Sequence, residues 1–217
     1  MNEMIEKMLT RHAIRRFQDR QVEEPLLEQV LQAGLYAPSA GNNQYSRIVV
    51  CQDREVNEKL GRINRWMQFK GKDPGTVAHS ISAEQPSIQD DFSLLSGYYN
   101  APTVLTIFCK DHKYVYEDAA MIGENMLLAA HFLELGACYI GRADEVFATE
   151  YGMETRRRWG VPDDMKAVSS VLLGYRDGPA PHDKPRKEGR VIRGSIIAPT
   201  ARAKGDSNAR LSFRAQE

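Results

Sequence analysis

The sequence predicts a single α+β domain, and three observations carry that expectation. Apolar residues recur at helical spacing in several long segments, while a few short runs are apolar and β-branched. The two kinds of segment alternate irregularly, without the regular strand–helix repeat of a parallel α/β fold. At 217 residues, 42% hydrophobic and 27% charged, the chain is long enough to bury one sizeable core and lies far from disordered compositions.

Met4, Ile5, Met8 and Leu9 form one apolar stripe at helical spacing. A second helix starts near Pro25, behind Glu23 and Glu24, and carries Leu27, Val30, Leu31 and Leu35 up to Pro38. Pro38-Ser39-Ala40-Gly41-Asn42-Asn43 is a loop by composition. Ile48 to Cys51 is short, apolar and β-branched, which reads as a buried strand. Asp53 opens a helix with Val56, Leu60, Ile63 and Met67 on one face. Residues 70–99 have weak periodicity and several Gly, Pro and Ser. A loop of that length in a compact domain is usually functional, so the segment reads as a lid over a site.

After Pro102 a strand runs from Thr103 to Cys109. From Glu117 to Leu135 apolar residues fall on all sides of the helix, which places it in the core or at a subunit interface. Gly136 is positioned to cap that helix in the left-handed conformation, with a short strand from Ala137 to Ile140 behind it. Asp144 opens another helical region that includes Arg156 to Arg158 and ends at Pro162. Val168 to Tyr175 is the last strand, and Gly178 to Arg186 is too proline-rich for helix or central strand. The domain is expected to span residues 1–197, with a polar tail over 198–217 that reads as an arm on a partner or as unstructured.

Lys plus Arg and Asp plus Glu both number 29, so no global field draws the chain to nucleic acid or to an anionic membrane. Local charge is uneven. Arg11, Arg15, Arg16 and Arg20 cluster near the start, and Lys184, Arg186, Lys187, Arg190 and Arg193 near the end, so two distant segments can meet around one anion. The first residues carry acids and no long apolar run, and no segment reaches the roughly 20 apolar residues of a membrane span, which predicts a cytoplasmic protein. Cys51, Cys109 and Cys138 are odd in number and widely spaced within apolar segments, so buried reduced thiols are expected rather than disulfides. The five histidines show no metal-ligand spacing, and no metal is expected. Glycine-rich nucleotide cradles and a nucleophile elbow are absent too, which favours redox chemistry by a borrowed cofactor.

Five motifs in order then carry a resemblance. Arg11-His12-Ala13-Ile14-Arg15-Arg16-Phe17 resembles the amino-terminal segment with which the nitroreductase family grips FMN, and Pro38-Ser39-Ala40-Gly41-Asn42-Asn43-Gln44 resembles its Pro-Ser-x-x-Asn-x-Gln loop. Tyr99 to Val104, Asn125 to Ala130 with Leu135 to Gly141, and Leu173-Gly174-Tyr175 followed by Lys184-Pro185-Arg186 are similar to later segments of that family. The resemblance implies a mixed sheet flanked by helices in an intertwined homodimer, with tightly bound FMN and NADH or NADPH as hydride donor. It places Arg11, Lys184 and Arg186 around the flavin phosphate, which carries roughly −1.5 to −2 charges. Arg15 would face the pyrimidine edge and stabilise the reduced ring.

The same resemblance puts Pro38, Ser39, Ala40, Asn42 and Gln44 in the partner's flavin pocket, and Ile140 and Gly141 with their backbone against the ring near N5. His12 and Ala13 belong to the gripping segment, and Asn64 is a candidate to hydrogen-bond the ring. Two departures stand out. Ala13 replaces the usual serine, and Tyr45-Ser46 replaces the usual Pro-Trp, so Tyr45 reads as either a pocket wall or a core residue.

The implied reaction is a ping-pong hydride transfer to nitroaromatic, quinone or similar electron-poor acceptors, with flavin N5 and no protein acid or base carrying the chemistry. The fold also hosts dehalogenation, azoline oxidation and flavin breakdown, so it does not by itself set the reaction. A non-catalytic flavin- or RNA-binding module is the alternative from another class, and salt-dependent RNA binding without a flavin spectrum is its mark.

Overall fold

The computed structural model describes residues 1–70, 95–182 and 185–194. They fall in two compact units, Met1–His182 and Asp183–Glu217. The first holds all the regular structure described; in the second, residues 185–194 are exposed and without helix or strand. Most of the lid segment, Lys184 and the polar tail lie outside the described residues.

Within the first unit the order is α1 (Glu3–Leu9), α2 (Glu24–Leu35), a short 3-10 turn (Ala40–Asn42), β1 (Ser46–Cys51), α3 (Arg54–Phe69), β2 (Thr103–Lys110), α4 (Val115–Phe132), β3 (Gly136–Ile140), α5 (Ala143–Phe147), α6 (Glu150–Arg158) and β4 (Met165–Gly174). The helix starts follow capping chemistry. Asp53 accepts from the Glu55 and Val56 N–H groups to open α3, and Pro25 sits in the first turn of α2. Thr149 accepts from the Gly152 N–H to open α6. That cap divides the single helical region expected after Asp144 into α5 and α6.

The sheet has the order β1-β2-β4-β3, and every neighbouring pair is antiparallel. The α+β class expected from the sequence is observed, with a wholly antiparallel sheet among the described residues where a mixed one was expected. The reason is topological. β2 and β3 run parallel to each other, joined through α4, but β4 returns between them, so no two parallel strands are neighbours.

Along β2 the side chains alternate between two cores. Leu105 and Ile107 join α2 and α4 residues such as Val30, Ile122 and Met126 on one face. Val104 and Phe108 join Leu60 of α3 and Val146 and Phe147 of α5 on the other. The result is a three-layer arrangement with helices on both faces of the sheet.

Three further expectations change. β1 is an edge strand rather than a buried one, and Val50 is 37% exposed, because only β2 pairs with it. Gly136 does not cap α4. Glu134 takes the left-handed conformation at φ 59°, and Gly136 is already the first residue of β3, paired with Gly174. A Cβ on Gly136 would lie 2.8 Å from Cγ2 of Ile14, so close approach and not a turn is what requires glycine there. The apolar stripe of α1 does form on a helix, yet Met4, Ile5, Met8 and Leu9 are all exposed.

Candidate functional site

The amino-terminal basic segment runs along the β3 edge and the end of β4. The Ile14 N–H donates to the Ala137 carbonyl at 2.9 Å, Phe17 bridges Arg176, and the Gln18 N–H donates to the Tyr175 carbonyl at 2.9 Å. Ile14 is buried, and Phe17 packs on Gly174, where a Cβ would come within 2.9 Å of its ring. These two apolar side chains fasten the backbone and so set the two arginines between them, Arg15 and Arg16.

The Arg15 guanidinium lies 5.9 Å from the centre of the Tyr99 ring. Burial pushes the Tyr99 hydroxyl above its ordinary pKa, and the Arg15 cation pulls against that rise. Burial likewise raises the Cys138 thiol, against the pull of Arg15 and Arg11. Cys51, Cys109 and Cys138 are all buried and free, as expected.

A corner forms where β3 meets α3. Asn64 is wholly buried and donates from Nδ2 to the Gly141 carbonyl at 2.9 Å, while its Oδ1 accepts from Arg142 Nη2 at 3.4 Å. Gln68, one turn further along α3, accepts from the same Arg142 nitrogen at 3.5 Å and from Arg65 Nη1 at 3.3 Å. Arg142 sits at φ 65°, in the left-handed region, and this turns its side chain back over α3. A Cβ on Gly141 would meet nothing within 4 Å, so its backbone faces open space. Among the described residues, Nε of Arg15 and Nε of Arg142 are both buried without a hydrogen-bond partner. Buried donors of this kind call for an acceptor, and charged ones doubly so.

Arg11 and His12 line a separate cavity of about 410 Å³, together with His131, Gly136, Ala137 and Gly178. Arg11 also faces Glu124, Nε to Oε1 at 3.9 Å. Ala13 packs against the core on the α3 face. Lys184 lies outside the described residues, and Arg186 is exposed in the second unit.

The loop from Pro38 to Gln44 stands at the other edge of the sheet, before β1. It is closed by its own hydrogen bonds. The Gln44 N–H donates to Ser39 Oγ at 3.2 Å, Gln44 Nε2 to Asn42 Oδ1 at 3.3 Å, and the Tyr45 N–H to Asn43 Oδ1 at 3.1 Å. Gly41, Asn42 and Gln44 all have positive φ, at 59°, 53° and 51°. Asp118 of α4 accepts from the Ala40 N–H at 2.9 Å and from Asn43 Nδ2 at 3.4 Å. Tyr45 is 46% exposed and meets the His112 ring edge-on at 5.8 Å, so it is a partly exposed clamp rather than core.

The fold therefore brings Arg15, Asn64, Ile140 and Gly141 to the β3 side and leaves Pro38, Ser39, Ala40, Asn42 and Gln44 on the β1 side. Three strand spacings, roughly 14 Å, separate the two edges. Arg142 and Asp118 belong to no quoted motif, and Tyr99 opens one without being a candidate site residue. Arg142 directly follows the Ile140-Gly141 turn, and that adjacency was the available signal. Among the described residues there is no cluster of three or more His, Cys, Asp or Glu able to hold a metal, and no helix long and apolar enough to cross a membrane.

A three-layer α+β domain with an arginine-lined corner at one sheet edge is the class this fold and site define. Residues 8–175 match the model of the Nitroreductase family, and the chain belongs to that family. A relative from Archaeoglobus fulgidus, named as a candidate NADH dehydrogenase/NAD(P)H nitroreductase, is 29% identical over 81% of this chain and 86% of its own length. The NADPH-flavin oxidoreductase of Vibrio harveyi is 25% identical over 88% of this chain and 73% of its own. Among solved structures, a Bacteroides fragilis nitroreductase with bound FMN superposes with a TM-score of 0.75 at 23% identity, covering 90% of this chain and all of that one (100%). A Desulfitobacterium hafniense nitroreductase with bound FMN gives 0.72 at 22% identity, with 89% and 100% covered.

Proposed function

We propose that the chain binds FMN at the Arg15–Gly141 corner and uses NADH or NADPH to reduce electron-poor acceptors such as nitroaromatics and quinones, working as a cytoplasmic homodimer. The observation that carries this reading is that Arg15 and Arg142, both on the β3 side, each bury an Nε without a hydrogen-bond partner, while a Cβ on Gly141 would meet only open space. The names of the relatives, an NADPH-flavin oxidoreductase and a candidate NADH dehydrogenase/NAD(P)H nitroreductase, point to the same chemistry.

Bound there, FMN supplies a ring that takes up a hydride from one partner and returns it to another. The protein's part is electrostatic and geometric. Arg15 holds a positive charge already in place beside the ring, so no reorganisation is needed when negative charge develops there. Asn64 fixes the Gly141 carbonyl and thereby the backbone that meets the ligand. Gly141, without a Cβ, admits that close approach. Arg11 is proposed for the phosphate, whose charge suits charge-assisted donors. Donor and acceptor are proposed to use one place in turn, in ping-pong order.

Two features support the homodimer. The Pro38–Gln44 loop stands at the sheet edge remote from its own chain's corner, so a partner's corner is its natural target. The uncovered apolar stripe of α1 offers surface for a second copy, and Leu35, Tyr36 and Met121 are exposed as well. The buried, unpaired thiols agree with a reducing compartment.

The test is spectroscopic. The purified protein, reconstituted with FMN, is expected to show a flavin spectrum that anaerobic NADH or NADPH bleaches and a nitroaromatic or quinone restores. A protein that stays colourless after reconstitution would sink the proposal, and intersecting rather than parallel double-reciprocal plots would remove the ping-pong order.

A further inference from the structure

We infer that Asp118 is a positioning residue for the flavin site, holding the Pro38–Gln44 loop in the shape that the partner's pocket receives; the inference rests on the flavin-and-dimer reading above. Asp118 lies near the start of α4 and is only 4% exposed. Its Oδ1 takes the Ala40 N–H at 2.9 Å, and its Oδ2 takes Asn43 Nδ2 at 3.4 Å and faces His112 Nε2 at 3.4 Å. The Tyr114 N–H donates to His112 Nδ1 at 3.3 Å, so Nε2 is the nitrogen turned to the carboxylate, with Cys109 Sγ also 3.7 Å from it.

Burying a carboxylate carries a large desolvation penalty unless hydrogen bonds replace the lost water. Here two of the three replacing donors belong to the loop, and the third, His112, carries Tyr45 of the loop's end on its edge. The loop in turn needs an external hold. Asn42 and Gln44 sit in the left-handed region, which disfavours a residue with a Cβ, glutamine more than asparagine. An acceptor inserted between Ala40 and Asn43 brackets that strained stretch on its amino-terminal and central residues. Tyr45, which stands where the family usually has proline, meets the His112 ring edge-on, so His112 accommodates that departure beside the loop.

The experiment is a double-mutant cycle on FMN affinity, read from flavin fluorescence with the apo full-length chain, beside urea unfolding of each variant. Asp118→Ala is expected to weaken FMN binding about tenfold or more, and Asn43→Ala about threefold. Combined, Asn43→Ala should add less to Asp118→Ala than it costs alone, because the Asn43 Nδ2 contact with Asp118 is already lost and only the bond from the Tyr45 N–H is lost anew. Asp118→Asn keeps an oxygen for the Ala40 N–H and should recover part of the affinity. A folded Asp118→Ala that binds FMN as tightly as the parent, or two losses that multiply, would overturn the inference. Should Asp118→Ala fail to fold, parental affinity in both Asp118→Asn and Asn43→Ala overturns it equally. A parent chain that binds no FMN overturns the flavin reading itself, which separates the two failures.

Discussion

At the β3 edge Arg15 and Arg142 each bury an Nε with no hydrogen-bond partner, whereas at the β1 edge the Ala40, Asn43, Gln44 and Tyr45 donors of the loop all find acceptors within the chain. The first region is rich in cations held by the neutral amides of Asn64 and Gln68. The second contains no arginine or lysine between Pro38 and Ser46 and is organised by one buried carboxylate. The contrast separates two ways of building a site. One side leaves buried arginine donors without an acceptor in the chain, and the other uses its hydrogen bonds to hold a shape.

The largest effect that sharpens this comparison is expected from Arg15→Ala. Loss of a charge-assisted contact of about 1.5–3 kcal/mol should lower FMN affinity roughly ten- to a hundredfold and slow reduction by NAD(P)H. Fluorescence titration and anaerobic stopped-flow reduction check it. Parental affinity with parental reduction rate would remove Arg15 from the site.

A pair of glycine substitutions probes the backbone of each region. Gly136→Ala places a Cβ 2.8 Å from Ile14 Cγ2, against the side chain that sets Arg15, and should cost about 1–3 kcal/mol in urea unfolding. Gly41→Ala meets nothing within 4 Å and bears only the strain of φ 59°, about 1 kcal/mol. The reverse order of losses would show that the loop, not the β3 edge, is the tighter construction.

The smallest effect is a titration. Burial raises the Tyr99 pKa above its ordinary value of 10.0, and Arg15 lowers it, so Arg15→Gln should move the hydroxyl further up. The neutral phenol's contribution to stability is fully present below the unfolded value and is lost as pH rises through the raised folded one. Ultraviolet difference spectra at alkaline pH, compared with a Tyr99→Phe control, report the shift. A downward move would place Arg15 away from the ring.

Much of the fold was legible because its signals are local. Asp53 as a cap, Pro25 in a first turn and the apolar run Thr103 to Cys109 each specify an element through neighbours in sequence. Errors came where the deciding partner was distant. Gly136 has the composition of a helix cap, but Ile14, 122 positions away, claims the space of its missing Cβ. Ile48 to Cys51 has the composition of a buried strand, yet its place at the sheet edge depends on how β2 and β4 pair. Asp118 sits in a helix apolar on most sides, and nothing in its neighbours distinguishes an acid facing water from one facing a loop 75 residues earlier.

By itself the sequence determined the α+β class, the order of helices and strands, and the family to which the chain belongs, since periodicity, caps and ordered motifs are written along the chain. Only the tertiary structure decided which arginines keep an unpartnered Nε, that Asn64 supports Gly141, and that Asp118 secures the loop. Those outcomes depend on burial and on contacts between segments far apart in sequence. Desolvation and hydrogen-bond balance are properties of the packed chain, and no local pattern encodes them.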